Sequence, residues 1–283
     1  MKMTRKAENP AAIYVVGDVH GNYPKMKTAL EEAGYTAGDD LIFVGDVMDR
    51  GSYNGKVARF IQKLGDKAHL VQGNHEWQHQ QLLPYYQALV GFGEIYANMA
   101  ADVFKFYKEE CWWPETTEEC QTFKCSLEER QNLIHTPATS FEDAVRHFVA
   151  YTLAWEDVRL WGIIANLLKT MCGPPYDAQH TLYEYFAGSK QTRLAMEKIW
   201  ACKSSQVVVT VKGKPWKEVI VTHNNPFGAS IYSTNTSTGV KPTLYVFGHV
   251  PVKQIVHFQD ESTKCHYIDI DLSPHQVGIV RIV

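Results

Sequence analysis

Three segments of the sequence repeat one pattern, a short apolar run of β-type residues followed at once by a polar loop that begins with glycine. The segments are Ile13–Val16 before Gly17-Asp18-Val19-His20-Gly21, Leu41–Val44 before Gly45-Asp46-Val47-Met48-Asp49-Arg50-Gly51, and His69–Gln72 before Gly73-Asn74-His75-Glu76. Short apolar runs bounded by glycine are typical of buried strands. Helical patterns at Pro24–Ala33 and Lys56–Leu64 separate the three runs. This order of strand, helix, strand, helix and strand favours a largely parallel sheet in an α/β fold.

The rest of the chain divides into a helical middle and a β-rich end. The middle is rich in aromatic residues, leucine and alanine, and Phe141–Lys169 has apolar residues near helical spacing. We expect residues 80–202 to form a mainly helical insertion or cap on a single domain that spans residues 1–283. Strand-like runs return at Gln206–Lys212, Lys217–Thr222, Thr243–Phe247, His266–Leu272 and Val277–Val283. The first two of these runs predict a hairpin.

Composition argues against several classes of protein. The net charge of −3 lacks the basic excess of a broad nucleic-acid-binding face, so charge does not favour nucleic acid as a partner. No apolar run approaches the roughly 18 residues of a membrane span, and we expect no membrane partner. Six cysteines in 283 residues are too few for a dense disulfide framework, and we interpret them as reduced thiols of a cytoplasmic protein. Cys111, Cys120 and Cys125 lack the paired spacing of common structural zinc sites.

Side chains suited to binding metal ions or phosphate follow the ends of five predicted strands. The candidates are Asp18, His20, Asp46, Asp49, Arg50, Asn74, His75, His223 and His249. In open α/β sheets, the loops beyond the carboxyl ends of the strands are where binding sites assemble. Carboxylate, imidazole and amide ligands without cysteine suit Mn²⁺, Fe or Zn²⁺.

The three glycine-led blocks resemble the signature blocks of the calcineurin-like metallophosphoesterases. In detail they are similar to the phosphoprotein-phosphatase branch, which includes bacteriophage lambda-type, bacterial and eukaryotic serine/threonine phosphatases. His223 and Gly248-His249 stand where this family has two further histidines. The resemblance implies a four-layer α/β/β/α sandwich with a long helical insertion. The compact core is closer to phage and bacterial members than to eukaryotic ones.

The resemblance also implies a role for each candidate residue. Asp18 and His20 would hold a first metal ion, Asp46 would bridge two ions, and Asn74, His223 and His249 would complete the second site. Two divalent ions would then share a carboxylate, with Mn²⁺ favoured, and a hydroxide between them would be the nucleophile. His75 would act as general acid, oriented by Asp49, and Arg50 would bind the phosphate.

The pattern departs from the family in one respect that bears on substrate. Many protein phosphatases of this branch have a second phosphate-binding arginine between the last two metal histidines, whereas the only cation between His223 and His249 is Lys241. An arginine of the helical region could replace it, and the candidates are Arg146, Arg159 and Arg193.

These features predict a metal-dependent phosphatase, most simply a phosphomonoesterase of the serine/threonine protein phosphatase type. Its substrate would be a phosphoprotein or a small phosphoester. The alternatives are a phosphodiesterase, a dinucleoside-polyphosphate hydrolase or a nucleic-acid end phosphatase, in which tryptophans of the helical region would stack a base. The tryptophans concerned are Trp112, Trp113, Trp155 and Trp161. A non-catalytic scaffold on the same fold is disfavoured, because the candidate ligands and the Asp49/His75 pair are all present.

Overall fold

The computed structural model describes residues 2–3, 11–106, 126–154, 178–224, 243–260, 265–274 and 276–283. The strands are β1 (Lys2–Met3), β2 (Ile13–Val16), β3 (Asp40–Phe43), β4 (Ala68–Leu70), β5 (Gln206–Thr210), β6 (Glu218–Thr222), β7 (Thr243–Phe247), β8 (Val256–Gln259), β9 (His266–Asp269) and β10 (Ile279–Arg281). The α-helices are α1 (Tyr23–Glu32), α2 (Asn54–Leu64), α3 (Asn74–Gly91), α4 (Glu94–Phe106), α5 (Leu127–His135), α6 (Phe141–Ala154), α7 (Gln179–Ala187) and α8 (Lys190–Trp200). A short 3₁₀ turn, Gly65–Lys67, leads into β4.

The smaller sheet confirms the parallel arrangement that the three repeated segments predict. Its order is β10-β2-β3-β4, and β2, β3 and β4 run parallel, with Val15 beside Ile42 and Ile42 beside His69. The strand β10 pairs antiparallel with β2 at the edge. Since β2, β3 and β4 point the same way, the three polar loops leave the sheet at one edge.

The larger sheet has the order β1-β5-β6-β7-β9-β8. The predicted hairpin is confirmed, because β5 and β6 pair antiparallel with Val208 opposite Ile220. The strands β6, β7 and β9 are parallel. The sequence did not predict the two edge strands: β8 is largely exposed, with His257 and Gln259 in place of an apolar run, and β1 is two residues long.

The core follows from the alternation of side chains along the strands. One set of side chains packs between the two sheets and includes Val15, Ile42, Val207, Val219 and Val246. The opposite faces of β2 and β3 pack against helices; this cluster includes Tyr14, Val16, Leu41, Phe43, Met26, Leu30 and Val57. The described residues thus form an α/β fold with a helical layer and two facing sheets. A second helical layer, needed for the expected four-layer sandwich, is not among the described helices.

The expected helical region is mainly helical where the structure describes it. The helices α4 to α8 all lie between residues 80 and 202, while α3 begins at Asn74 and so continues directly from the third polar loop. The candidate tryptophans, the cysteine trio and Arg159 lie outside the described residues. None of the described helices is long and apolar enough to cross a membrane. The division into one domain with an insertion stays a prediction.

Candidate metal centre

The structure brings the nine predicted site residues together beyond the carboxyl ends of five strands. The first loop, carrying Asp18 and His20, follows β2, and the second, carrying Asp46, follows β3. The third loop ends where Asn74 and His75 open α3, and the histidines at 223 and 249 follow β6 and β7. The larger sheet therefore contributes two side chains to a centre whose other members come from the smaller sheet.

Two groups of potential metal-ligating atoms share one carboxylate, that of Asp46. The first group consists of His20, Asp46 and His75, and the second of Asp46, His223 and His249, with the ligand atoms of each group within 4.8 Å of one another. The predicted bridging residue therefore lies between both groups. Within the second group, the Nε2 atom of His223 lies 3.6 Å from Asp46 Oδ1.

The second group presents acceptor atoms that face one another. The Nδ1 atom of His223 lies 3.1 Å from the Val44 carbonyl oxygen, which can only accept, so Nδ1 carries the proton and Nε2 has a lone pair. That lone pair lies 3.0 Å from Asn74 Oδ1 and 3.0 Å from His249 Nδ1. Burial lowers the pKa of His223, which keeps the imidazole neutral. The lone pairs of His223 Nε2 and Asn74 Oδ1 repel one another unless a cation lies between them, so these residues fit a divalent metal ion.

The first group has the same ligand chemistry. The Nδ1 atom of His20 donates to the Met48 carbonyl at 3.3 Å, which leaves the lone pair of the ring on Nε2. Burial lowers the pKa of His20 to about 4. The Nε2 atom lies 4.0 Å from Asp18 Oδ2, whose pKa is raised by burial and then by the nearby carboxylate of Asp46. Bound cations would relieve this crowding of buried acids.

The two ligand groups of the structure include His75 and leave out Asp18, whereas the predicted metal ligands include Asp18 and leave out His75. Asp18 belongs to neither three-residue group, although it lies beside the first, while His75, predicted as the general acid, belongs to it. The Nε2 atom of His75 lies 3.9 Å from Asp46 Oδ2. The geometry therefore permits His75 either to ligate a metal ion or to donate a proton to something bound there.

A short hydrogen bond joins the predicted acid to its predicted partner. The Nδ1 atom of His75 lies 2.7 Å from Asp49 Oδ2, and both side chains are buried. Burial disfavours the charged imidazolium, but the hydrogen bond and the charge of Asp49 outweigh it and raise the pKa of His75 to about 9. The protonated form therefore persists at neutral pH, as a general acid requires.

Asp49 has two further donors that the sequence did not identify as partners. The Nε2 atom of His79 lies 2.9 Å from Asp49 Oδ1, and the hydroxyl of Thr181 donates to the same oxygen at 2.5 Å. Burial alone would raise the pKa of Asp49, but His79 and His75 hold it well below its usual range. Three donors thus fix a carboxylate that is 1% exposed.

His79 is held in turn by aromatic residues. Its Nδ1 atom lies 3.1 Å from the Tyr86 hydroxyl, which donates to it when Nε2 carries the proton. Its ring stacks on Trp200 at a centroid distance of 4.6 Å. The helices α3 and α8 therefore fix the orientation of a residue that contacts the site through Asp49.

Glu76 ties two of the polar loops together. One carboxylate oxygen accepts from the backbone N–H of Asp46 at 2.7 Å and of Gly73 at 3.1 Å, and the other accepts from Val47 at 3.0 Å. Burial and the neighbouring Asp46 raise the pKa of Glu76 to about 8. The sequence places Glu76 in the third block, but its role in positioning the second loop depends on tertiary contacts.

A second glutamate comes from the helical region. The carboxylate of Glu184 accepts from the backbone N–H of Asn54 at 2.9 Å and of Gly55 at 2.7 Å. The side chain of Asn54 accepts from the Asp49 N–H at 2.8 Å. Thr181 and Glu184 are one helical turn apart on α7. Side chains from a single face of this helix therefore form hydrogen bonds that hold the loop after β3 in place.

The site backbone is strained at the predicted residues. Among the described residues, every non-glycine residue with a positive φ is one of the nine: His20, Asp46, Asp49, Arg50 and His249. Such conformations cost on the order of 1–3 kcal/mol each and cluster at functional sites. Gly45, with φ of 120°, permits the close approach of two loops, since a Cβ there would lie 2.7 Å from the Gly73 nitrogen.

Arg50 lies at the centre, and it comes from the loop after β3 and not from the helical region. The exposed Arg50 donates from Nη1 to His20 Nε2 at 3.0 Å, so it lies directly over the first ligand group. Of the three arginines considered as replacements, Arg193 donates to the Gly188 carbonyl at 2.6 Å and Arg146 is exposed on α6. The structure therefore gives no support to either as the second phosphate-binding cation.

Known proteins resemble this chain over a limited part of its length. Bis(5'-nucleosyl)-tetraphosphatase, symmetrical, from Enterobacter sp. is 41% identical over 64 residues, which is 22% of this chain and 23% of the relative. The protein of the same name from Psychromonas ingrahamii is 39% identical over 66 residues, 23% of this chain and 24% of the relative. The match thus spans about a quarter of each relative.

A solved metallophosphoesterase from Sphaerobacter thermophilus aligns with 97% of this chain and 89% of its own, at 13% identity and a TM-score of 0.42. The family model of the calcineurin-like phosphoesterases matches residues 11–117. These residues carry the three glycine-led loops and the shared Asp46 described above. Over this segment the chain is similar to the calcineurin-like phosphoesterases.

Proposed function

We propose that this chain is a hydrolase of phosphoric esters or anhydrides that works with two divalent metal ions. The observation that carries the proposal is the pair of ligand groups sharing Asp46, with the hydrogen-bonded Asp49 and His75 beside them. Asp18, His20 and Asp46 would hold one ion. Asp46, Asn74, His223 and His249 would hold the other. The ions, Mn²⁺ first among the candidates, would supply Lewis acidity and a water of lowered pKa.

The residues of the chain have separate tasks in this proposal. Arg50 binds the phosphate oxygens through its planar guanidinium group. His75 donates the proton on Nε2 to the leaving oxygen, and Asp49 keeps the proton on Nδ1 and holds the ring in place. Three donors to Asp49 limit its motion, so the ring of His75 is held with its Nε2 atom 3.9 Å from Asp46 Oδ2.

For the substrate, we propose a dinucleoside polyphosphate ahead of a phosphoprotein. The support is the name shared by the curated relatives, symmetrical bis(5'-nucleosyl)-tetraphosphatase, over the aligned segment. Hydrolysis of the central bridge of a dinucleoside tetraphosphate adds one water and gives two nucleoside diphosphates. The departure from the protein-phosphatase pattern, with Lys241 the only cation between the last two histidines, also favours this substrate over a phosphoprotein.

A panel of substrates tests the proposal. The purified chain with Mn²⁺ would be assayed on p-nitrophenyl phosphate, its bis ester, a phosphoserine peptide and a dinucleoside tetraphosphate. We expect turnover that chelation abolishes, with the highest kcat/KM on the dinucleoside tetraphosphate and nucleoside diphosphate as the product. Bound metal without turnover of any substrate would refute the hydrolase. A higher kcat/KM on the phosphopeptide would instead restore the protein phosphatase.

A further inference from the structure

A pocket of about 150 Å³ opens beside the first ligand group. Its walls come from the loop after β2, the start of α1, the loop after β3 and the turn before β10. The lining residues relevant here are Asp18, His20, Asn22, Lys25, Arg50 and Ser273. No described residue of the helices between 80 and 202 takes part in this wall.

The size of the pocket limits what it can hold. Pockets that enclose a whole drug-sized ligand are about 300–1,000 Å³, so this one is suited to part of a molecule. A phosphate group fits that space, whereas a nucleoside would extend out of it.

The pocket brings a second cation close to the phosphate-binding side of the centre. Lys25 and Arg50 are the two cationic side chains of the lining. The exposed Lys25 donates from Nζ to the Pro274 carbonyl at 2.8 Å, and no described carboxylate forms an ion pair with it. Two residues along the same helix, Lys27 lies 3.5 Å from Glu31. The charge of Lys25 is therefore available to an anion.

A buried hydroxyl also lines the pocket. Ser273 is 5% exposed, and its Oγ atom has no hydrogen-bond partner among the described residues. Buried polar side chains are nearly always hydrogen-bonded, so this hydroxyl is a candidate to bind a ligand or a water molecule. The helix α1 begins here with Asn22 as N-cap and no acidic residue in its first turn, which leaves its positive dipole end uncompensated.

We propose that this pocket binds the phosphate next to the scissile one in a polyphosphate substrate, with Lys25 and Ser273 as its ligands and Arg50 between the two phosphates. This inference rests on the proposed function and deepens it. A monoester has its single phosphate at the metal ions and gains nothing from such a subsite, whereas a chain of phosphates must place a second anion nearby. The arginine that many protein phosphatases have between the last two metal histidines is thus replaced by a lysine of α1.

Equilibrium binding tests the subsite without relying on turnover. Methylenediphosphonate, which has two linked phosphonates and no hydrolysable bridge, would be titrated into the Mn²⁺-loaded full chain and compared with orthophosphate. The variants are Lys25→Ala, Lys25→Arg and, as a matched control on the same helix, Lys27→Ala. A thermal melt of each variant checks that it is folded.

We expect Lys25→Ala to weaken methylenediphosphonate binding about tenfold, the lower end of the value of a hydrogen bond to a charged group, and orthophosphate binding by much less. Lys25→Arg should retain affinity within about threefold, and Lys27→Ala should match the parent chain. Equal weakening of both ligands by Lys25→Ala, or no weakening of either, would overturn the subsite.

Enzyme kinetics provide a second test of the subsite. The ratio of kcat/KM for a dinucleoside tetraphosphate to that for p-nitrophenyl phosphate should fall about tenfold in Lys25→Ala, mainly through KM. An unchanged ratio in an active chain would overturn the subsite and leave the hydrolase intact. A parent chain that turns over neither substrate, but binds methylenediphosphonate through Lys25, would refute the proposed function and uphold the subsite.

Discussion

Replacing Thr181 by valine tests whether the helical region serves the candidate active site. Thr181 lies on α7, is fully buried, and donates to Asp49 Oδ1 at 2.5 Å. Valine has nearly the same shape but no hydroxyl. The variant therefore removes one of three donors from a buried carboxylate and leaves the packing of α7 in place.

The expected size of the effect follows from that contact. A hydrogen bond to a charged group is worth about 1.5–3 kcal/mol, so we expect Thr181→Val to lower the free energy of unfolding by about 2 kcal/mol. In a protein of this size that corresponds to a fall in Tm of roughly 4–8 °C. Because Asp49 orients His75, kcat should also fall, by roughly tenfold, with little change in bound metal.

Two further variants separate the stability effect from the catalytic one. Thr181→Ser keeps the hydroxyl and loses a methyl group, so it should lose about 0.8 kcal/mol of stability and retain kcat. Thr192→Val removes another buried hydroxyl. This hydroxyl accepts a hydrogen bond from Arg59 at 2.5 Å and is not hydrogen-bonded to Asp49. It should lower stability and leave kcat unchanged. Urea unfolding and initial rates on p-nitrophenyl phosphate measure both quantities, and a kcat for Thr181→Val equal to that of Thr192→Val would refute the reasoning.

Three other predictions concern single side chains. His75→Asn should keep both metal ions, as measured by elemental analysis. It should lose more activity on a phosphoserine peptide than on p-nitrophenyl phosphate, because a leaving alkoxide depends more on protonation by the acid than p-nitrophenolate does. Loss of metal would instead make His75 a ligand. Asp46→Asn should lose both ions together, whereas loss of one would contradict the shared carboxylate. Asp39→Asn should destabilise the fold by on the order of 1 kcal/mol, because its carboxylate accepts from Ala12 and Thr36. Burial opposes the shift, but these hydrogen bonds hold the pKa of Asp39 below its ordinary value, so its contribution is complete above about pH 4 and is lost as the pH falls through the folded-state pKa. The difference in the free energy of unfolding between the two proteins should therefore be smaller at pH 3 than at pH 7, and a constant difference would argue against an ionised Asp39.

The strands and their polar loops were predictable because their signals are local. A run such as Ile13–Val16 is apolar over consecutive residues and ends at a glycine. A few adjacent residues therefore carry both the signal for the strand and the signal for its end. The edge strand β8 was missed for the same reason, since it is exposed and has no apolar run. Its place in the sheet is set by the pairing of Phe258 with Tyr267 and not by its own sequence.

The hydrogen bonds that hold the loop after β3 were not predictable, because the residues they join are far apart along the chain. Thr181 lies 132 residues from Asp49, and Glu184 lies 130 residues from Asn54. Nothing in the helical pattern of α7 distinguishes these polar residues from solvent-exposed ones. Only the packing of α7 against the start of α2 turns them toward the loop after β3.

The sequence by itself determined the α/β fold class, the ends of the parallel strands and the set of nine candidate residues. Each of these depends on a few adjacent residues, and parallel strands necessarily bring their loops to one edge. The tertiary structure alone decided that His79 and Thr181 support Asp49 and that Lys25 lines a pocket beside the centre. These relations depend on contacts between residues 30 or more positions apart in the chain, and no local sequence pattern encodes such contacts.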